Sequence, residues 1–162
     1  MLSEEYKIVP IMSDNDMNVG DPTTSGDSIN MSGYHWATFI VGIQTLGGAN
    51  PTIGVYSGAA DGVCTTFVPF NYAYGGAAAA AASCDVLAAW TKATAVVTIA
   101  HASKDNFMLI IEVDAAEMNI ALGHKWLTLQ VGDPSTGATG NIQVHAILKP
   151  RFGSNVSVTC LT

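Results

Sequence analysis

Three stretches of the chain alternate apolar and polar residues at a period of two, the mark of a strand with one face in a core and one in water. Residues 125–131 are the cleanest, with Leu127, Leu129 and Val131 on one face and Trp126, Thr128 and Gln130 on the other. Residues 141–149 place Ile142, Val144, Ala146 and Leu148 inward, and residues 107–113 place Phe107, Leu109, Ile111 and Val113 inward with Glu112 opposite. Residues 34–44 are apolar on both faces, which predicts a central strand covered on both sides. Weaker patterns predict further strands at 6–12, 28–31, 52–57, 65–74 and 95–100. Turn residues separate them: Gly47-Gly48, Asn50-Pro51, Ser57-Gly58, Asp61-Gly62, Gly132-Asp133-Pro134 and Gly137 to Gly140.

No apolar stripe of period 3.6 runs through the chain, so a parallel sheet with crossover helices is not expected. The fold class this predicts is all-β: an antiparallel, jelly-roll-like β-sandwich with short helical turns. Residues 114–118 read as one such turn. The alanine run 77–82, continued through 85–91, reads as a short helix or a small-residue connection. Length favours a single domain, with a sandwich core at about 26–150. The flanking stretches 1–25 and 151–162 read as arms, polar or glycine-bearing with sparse apolar residues.

Composition narrows the partners. Charged residues are only 12% of the chain, about half the usual ~25%, with six basic against thirteen acidic side chains and a net charge of −7. So few charges leave much of the surface neutral, a surface suited to being covered by copies of itself or by a partner. The scattered lysines and the lone Arg151 offer no cationic track, so neither nucleic acid nor an anionic membrane surface is an expected partner. No apolar run approaches the roughly 20 residues that cross a bilayer, and residues 1–16 lack a basic start followed by an apolar stretch. Cys64, Cys84 and Cys160 have no CxxC spacing and read as free, mostly buried thiols made in a reducing cytosol.

Chemistry-bearing residues are few. His35, His101, His124 and His145 form no HxH or HxxxH pair, so no zinc site is expected. Asp14, Asp16, Asn18 and Asp21 approach the spacing of a calcium loop. The glycine falls one place late, however, and Ser25 stands where the closing glutamate belongs, so a solvated acidic loop is the expectation. Ser57-Gly58 and Ser83-Cys84-Asp85 supply nucleophile types without a GxSxG elbow, so no catalytic residue, no cofactor and no enzymatic activity are expected. Tyr72, Tyr74, Trp90 and Trp126 are the aromatic side chains able to stack on a sugar. In the C-terminal arm, Val156, Val158 and Leu161 alternate as an added strand would, and are candidates for pairing with the sheet edge of another subunit.

A family resemblance adds to this reading. The string Ile111-Glu112-Val113-Asp114-Ala115-Ala116-Glu117-Met118 followed by Gly123-His124-Lys125-Trp126-Leu127-Thr128-Leu129 resembles a pattern in small virion proteins of tailed bacteriophages. Residues 85–94, the run from Ser28 through residues 34–41, and Tyr56-Ser57-Gly58 are similar as well, so the resemblance covers about residues 6–152. The matched positions are framework, and no site residue carries over. The resemblance implies a jelly-roll structural protein on the outer surface of a capsid, as a cement (decoration) or minor capsid protein, made in the bacterial host's cytoplasm. The implied partners are the major capsid protein and further copies of the chain, as a homotrimer. The alternative from the same class of particle is a carbohydrate-binding sandwich of a fibre or receptor-binding tip.

Overall fold

The computed structural model describes residues 5–16, 23–77, 86–132 and 140–152. The strands are β1 (Lys7–Asp16), β2 (Thr23–Ser25), β3 (Ile29–Asn30), β4 (Tyr34–Ile43), β5 (Thr52–Gly58), β6 (Thr66–Phe67), β7 (Phe70–Ala77), β8 (Thr91–Ala93), β9 (Val97–Thr98), β10 (Phe107–Asp114), β11 (Trp126–Gly132) and β12 (Asn141–Pro150). One short helix, α1 (His101–Lys104), and 3-10 turns at Met31–Gly33, Ala115–Glu117 and Ile120–Leu122 complete the described elements. The turn predicted after β10 is present, closed by Asp114 Oδ1 accepting from the Ala116 N–H at 2.9 Å.

The strands form two antiparallel sheets packed as a sandwich. The larger runs β1-β12-β4-β10-β7-β8. The smaller runs β2-β11-β5-β6, with β3 also paired to β11 and β9 to β5. Consecutive strands keep changing sheet. Count β2 and β3 as one position and set β6 to β8 aside as an insertion; β1, β2/β3, β4, β5, β9, β10, β11 and β12 then occupy positions one to eight. The large sheet then reads 1-8-3-6 and the small one 2-7-4-5, which is the strand order of a jelly roll.

The core is the meeting of the two inner faces. Phe39 and Val41 of β4, Leu109 and Ile111 of β10, and Ile142 and Val144 of β12 face Ile53 and Val55 of β5 and Leu127 and Leu129 of β11, all fully buried. Each contributes about 1.5–3 kcal/mol by leaving water. On β11 and β12 the neighbours Thr128, Gln130, Gln143 and His145 alternate to the other face, so period-two patterning assigns the apolar residues of these strands to the interior.

The structure corrects four expectations. The strand predicted at 6–12 is present and runs on to Asp16, but it does not belong to an arm: residues 7–16 form an edge strand of the molecule's own large sheet, paired with β12 from Lys7 opposite Leu148 to Asp16 opposite Asn141. Ile11 and Met12 enter the core, and burying them there outweighs an extended arm. Pro10, with no N–H to give, sits on the edge, and register shifts on either side of Met12 blunt that edge. Second, β4 is central but covered on one face only: Trp36, Thr38 and Ile40 on its outer side stay partly exposed. Third, residues 65–74 are two strands, because Val68-Pro69 carries the chain from the small sheet to the large one. Fourth, residues 86–90 are not helical. The Ala88 N–H donates to the Tyr74 carbonyl at 2.8 Å and Leu87 bridges to Gly75, which holds the segment extended along β7. The alanine run beyond residue 77 and the C-terminal arm with Val156, Val158 and Leu161 lie outside the described residues.

Candidate functional site

The sequence-derived candidates are dispersed by the fold. Asp14 and Asp16 lie on β1, whose backbone is extended, whereas a calcium loop must curl around its ion; Asn18 and Asp21 lie outside the described residues. The four histidines fall on β4, α1, the approach to β11, and β12, and no cluster of three or more metal-ligating side chains occurs among the described residues. Cys64 is a free, partly exposed thiol. His101 is held by Asn50, whose Oδ1 accepts from both its backbone N–H at 3.0 Å and its Nδ1 at 2.8 Å.

Two of the aromatic candidates are structural. Tyr72 and Tyr74 belong to a continuous series of rings, Tyr56–Phe67–Phe70–Tyr72–Tyr74–Phe107, with successive centroids 5.8 to 6.3 Å apart, edge-to-face at every step except the tilted Phe67–Phe70 pair. Phe70, Tyr72 and Tyr74 share the inner face of β7, with Phe107 of β10 at one end of the row and Phe67 and Tyr56 of the small sheet at the other. The Lys104 ammonium stands 4.4 Å from the Tyr74 centroid and 4.7 Å from that of Phe107, a cation–π cap on the end of the row. Burial, and after it the neighbouring Tyr72, pushes the Tyr74 phenol above its ordinary 10.0, so it remains neutral at physiological pH. Rings whose faces and edges already meet other rings are not free platforms for a ligand. Trp90 is exposed, and Trp126 is half-buried at the start of β11.

Sequence reasoning missed one pair. Ser57 Oγ on β5 and His124 Nδ1, before β11, are 3.0 Å apart although 67 residues separate them. Ser57 is 0% exposed and His124 9%. A serine–histidine contact is the first half of a nucleophile–base arrangement, but this hydroxyl is fully buried, and no carboxylate among the described residues pairs with the imidazole. The chemistry it performs here is satisfaction of two buried polar groups. Replacing Ser57 with alanine should therefore lower stability by about 1–3 kcal/mol, the cost of a buried acceptor or donor left unpaired. Denaturant unfolding of the variant checks this; a loss of less than half a unit would mean the imidazole finds another partner.

The other missed arrangement is a cleft on the outer face of the large sheet. Trp36 on β4 stands opposite Asp114 of β10 on one side and Lys149 of β12 on the other. One step along, Glu112 stands opposite Thr38 on β4 and Asn71 on β7. Trp36, Asn71, Glu112, Val113 and Asp114 line a cleft of about 280 Å³. No single-strand motif announces it, since three strands distant in sequence supply its walls.

No family model matches the chain. No curated protein matches it either. A solved structure described as that of the SPBc2 prophage-derived protein YomS shares 13% identity over 86% of this chain and 94% of its own, with a TM-score of 0.36. So loose a superposition aligns no site and carries no argument. Functional inference therefore rests on this chain's own residues.

A third feature is apolar. At the end of the sandwich where β4 begins and β12 finishes, Ile120 and Leu122 are each 64% exposed and Phe152 68%. Arg151 ties this end together, its N–H donating to the Gly33 carbonyl at 2.8 Å and its Nε to that of Tyr34 at 2.9 Å. Arg151 and Ile120 share one cleft of about 260 Å³ with Met31 and Met118.

Proposed function

We propose that this protein is a structural component of a tailed-bacteriophage particle, one that associates with copies of itself and seats on the outer capsid surface as a cement or minor capsid protein. The observation that carries the reading is the exposed apolar end formed by Ile120, Leu122 and Phe152. Large apolar side chains left exposed at one end of a sandwich mark a contact surface, and on a chain with only 12% charged residues little opposes the approach of a second copy. A closed oligomer buries such a patch once per subunit, and a trimer is the form that this reading expects. The sequence resemblance to phage virion proteins supplies the capsid. Its matched strings occupy β10, the turn after it and β11, at the heart of the sandwich. The acidic balance fits the outer surface rather than the side facing packaged DNA.

The test is the mass of the purified protein in solution, measured by light scattering, for the natural chain and for the double variant Ile120→Ser, Leu122→Asp. The natural chain should run as a trimer and the double variant as a monomer with an unchanged circular dichroism spectrum. Both residues are solvent-exposed, so their replacement leaves the core intact. A natural chain that stays monomeric at every concentration, or a double variant that still assembles, would overturn the reading. On particles, a cement protein sediments with DNA-filled heads lacking tails, whereas a receptor-binding tip follows the tails.

A further inference from the structure

The cleft at Trp36 shares no lining residue with the cleft at the apolar end, although Asp114 of the one is followed in the chain by Ala115 of the other. We propose that it is a binding site for a neutral saccharide, with Trp36 as the stacking platform and Asn71 and Glu112 as the groups that read hydroxyls. The indole supplies a flat apolar wall of the kind that receives the C–H face of a pyranose ring. Its far side is backed by the protein: the Tyr6 ring lies 6.0 Å away, and Lys149 Nζ stands 5.9 Å from the indole centroid. Such backing holds the indole upright before any ligand arrives.

The polar groups are poised and unspent. No hydrogen bond or ion pair engages the Asn71 amide or the Glu112 carboxylate among the described residues. An amide offers two donors and an acceptor, and a carboxylate offers acceptors only. Together they match a pair of neighbouring hydroxyls, each of which both donates and accepts. Asp114 adds a second carboxylate, with one oxygen already committed to the Ala116 N–H.

Charge selects among ligands. Two carboxylates in one small cleft, on a chain of net charge −7, repel phosphates, sulfated sugars and sialic acids. A hard cation needs six or more oxygens, and two carboxylates with one amide fall short of that. A quaternary ammonium would seek the same indole, but the Lys149 ammonium beside it opposes a second positive charge. At about 280 Å³ the cleft lies just below the usual range for drug-sized ligands, so it fits one ring of a chain and not a buried oligosaccharide. Affinity for a single site of this size should be on the order of millimolar.

Saturation-transfer nuclear magnetic resonance tests the site directly. The full-length protein is titrated with glucose, galactose, N-acetylglucosamine and short oligomers of each, with choline chloride and sialic acid alongside. At least one neutral saccharide should give a saturable transfer signal, and neither charged probe should. Asn71→Ala and Glu112→Gln, both at exposed positions, should weaken that binding tenfold or more, and Trp36→Ala should abolish it. Trp90→Ala should leave it unchanged. A panel in which no neutral saccharide saturates, a response to choline alone, or Asn71→Ala and Glu112→Gln variants that bind as the natural chain does would each overturn the proposal. Oligomeric mass, read on the same samples, should not move with any of these replacements, so this result and the assembly result stand or fall separately.

Discussion

Leu129→Asp should abolish soluble, folded protein. Leu129 is 0% exposed at the centre of β11, paired with Val55 on β5 and facing the large sheet. Two costs add. Losing the leucine side chain from a packed site costs about 2–5 kcal/mol. Placing a carboxylate there without a cation or donors adds several more. The sum is comparable with the whole stability of a domain, about 5–15 kcal/mol. Two neighbouring replacements isolate the cause. Leu129→Met keeps volume and polarity and should cost less than about 1.5 kcal/mol. Gln130→Asp, one residue along and pointing outward, loses only an exposed 2.9 Å hydrogen bond to Ser25 Oγ and should fold. Soluble yield and circular dichroism read all three. Soluble Leu129→Asp with a natural spectrum and melting temperature would mean that the packing of the two sheets has been misplaced.

That prediction could be written from the sequence, because Leu127, Leu129, Ile142 and Val144 declare themselves by alternation and Leu109 and Ile111 by sharing a face with Val113 opposite Glu112; all six are fully buried. Patterning has this power where a strand is long and one of its faces is wet. It weakens elsewhere for identifiable reasons. β1 reads only as a weak strand at 6–12 within an arm, because the register shifts beside Met12 break its alternation and an edge strand needs few apolar residues. β2 and β8, three residues each, are shorter than one period of any convincing pattern. β4 carries apolar residues on both faces, and period-two reasoning takes that for double coverage; on its outer face Trp36 instead walls a cleft and Ile40 stays partly exposed.

The sites were less legible than the fold, and for a different reason. Ser57 meets His124, and Trp36 meets Asn71 and Glu112, only through pairings between strands far apart in the chain. No local string contains the whole of such a site: residues 112–114 supply one wall of the cleft, and Trp36 and Asn71 come from other strands. Once the jelly-roll order is known, register brings Trp36, Asp114, Glu112 and Asn71 to one patch with no further assumption. Tyr72 and Tyr74 stand out in the sequence by the density of aromatic residues around them, and that density is what makes them pack against one another.

Gly58→Ala should be among the most damaging single-methyl additions in this chain. Gly58 ends β5, opposite Trp126, and its carbonyl accepts from the Lys125 N–H at 3.1 Å. A β-carbon there would lie 1.8 Å from the Val63 carbonyl oxygen and 2.7 Å from its carbon. Those are backbone atoms of the returning loop, which is pinned where the Val63 N–H donates to the Ala60 carbonyl and the Thr65 N–H to that of Ser57. A flexible side chain could swing aside; this loop must move as a unit or push β5 away from β11. Displacement of β5 also pulls Ser57 from His124, so the clash is joined by an unpaired buried polar group. Overpacking alone costs about 1–3 kcal/mol, and the two together should exceed 3 kcal/mol, or roughly 6 °C or more in melting temperature for a domain of this size. Gly62→Ala in the same loop is the control. Its φ is +73°, and no atom lies within 4 Å of the added carbon, so it suffers backbone strain of roughly 1–2 kcal/mol and no clash. Thermal melts of the two variants side by side decide the matter. If Gly58→Ala melts no lower than Gly62→Ala, the close approach of Val63 to β5 does not hold the loop, and the sealed environment of Ser57 must have another cause.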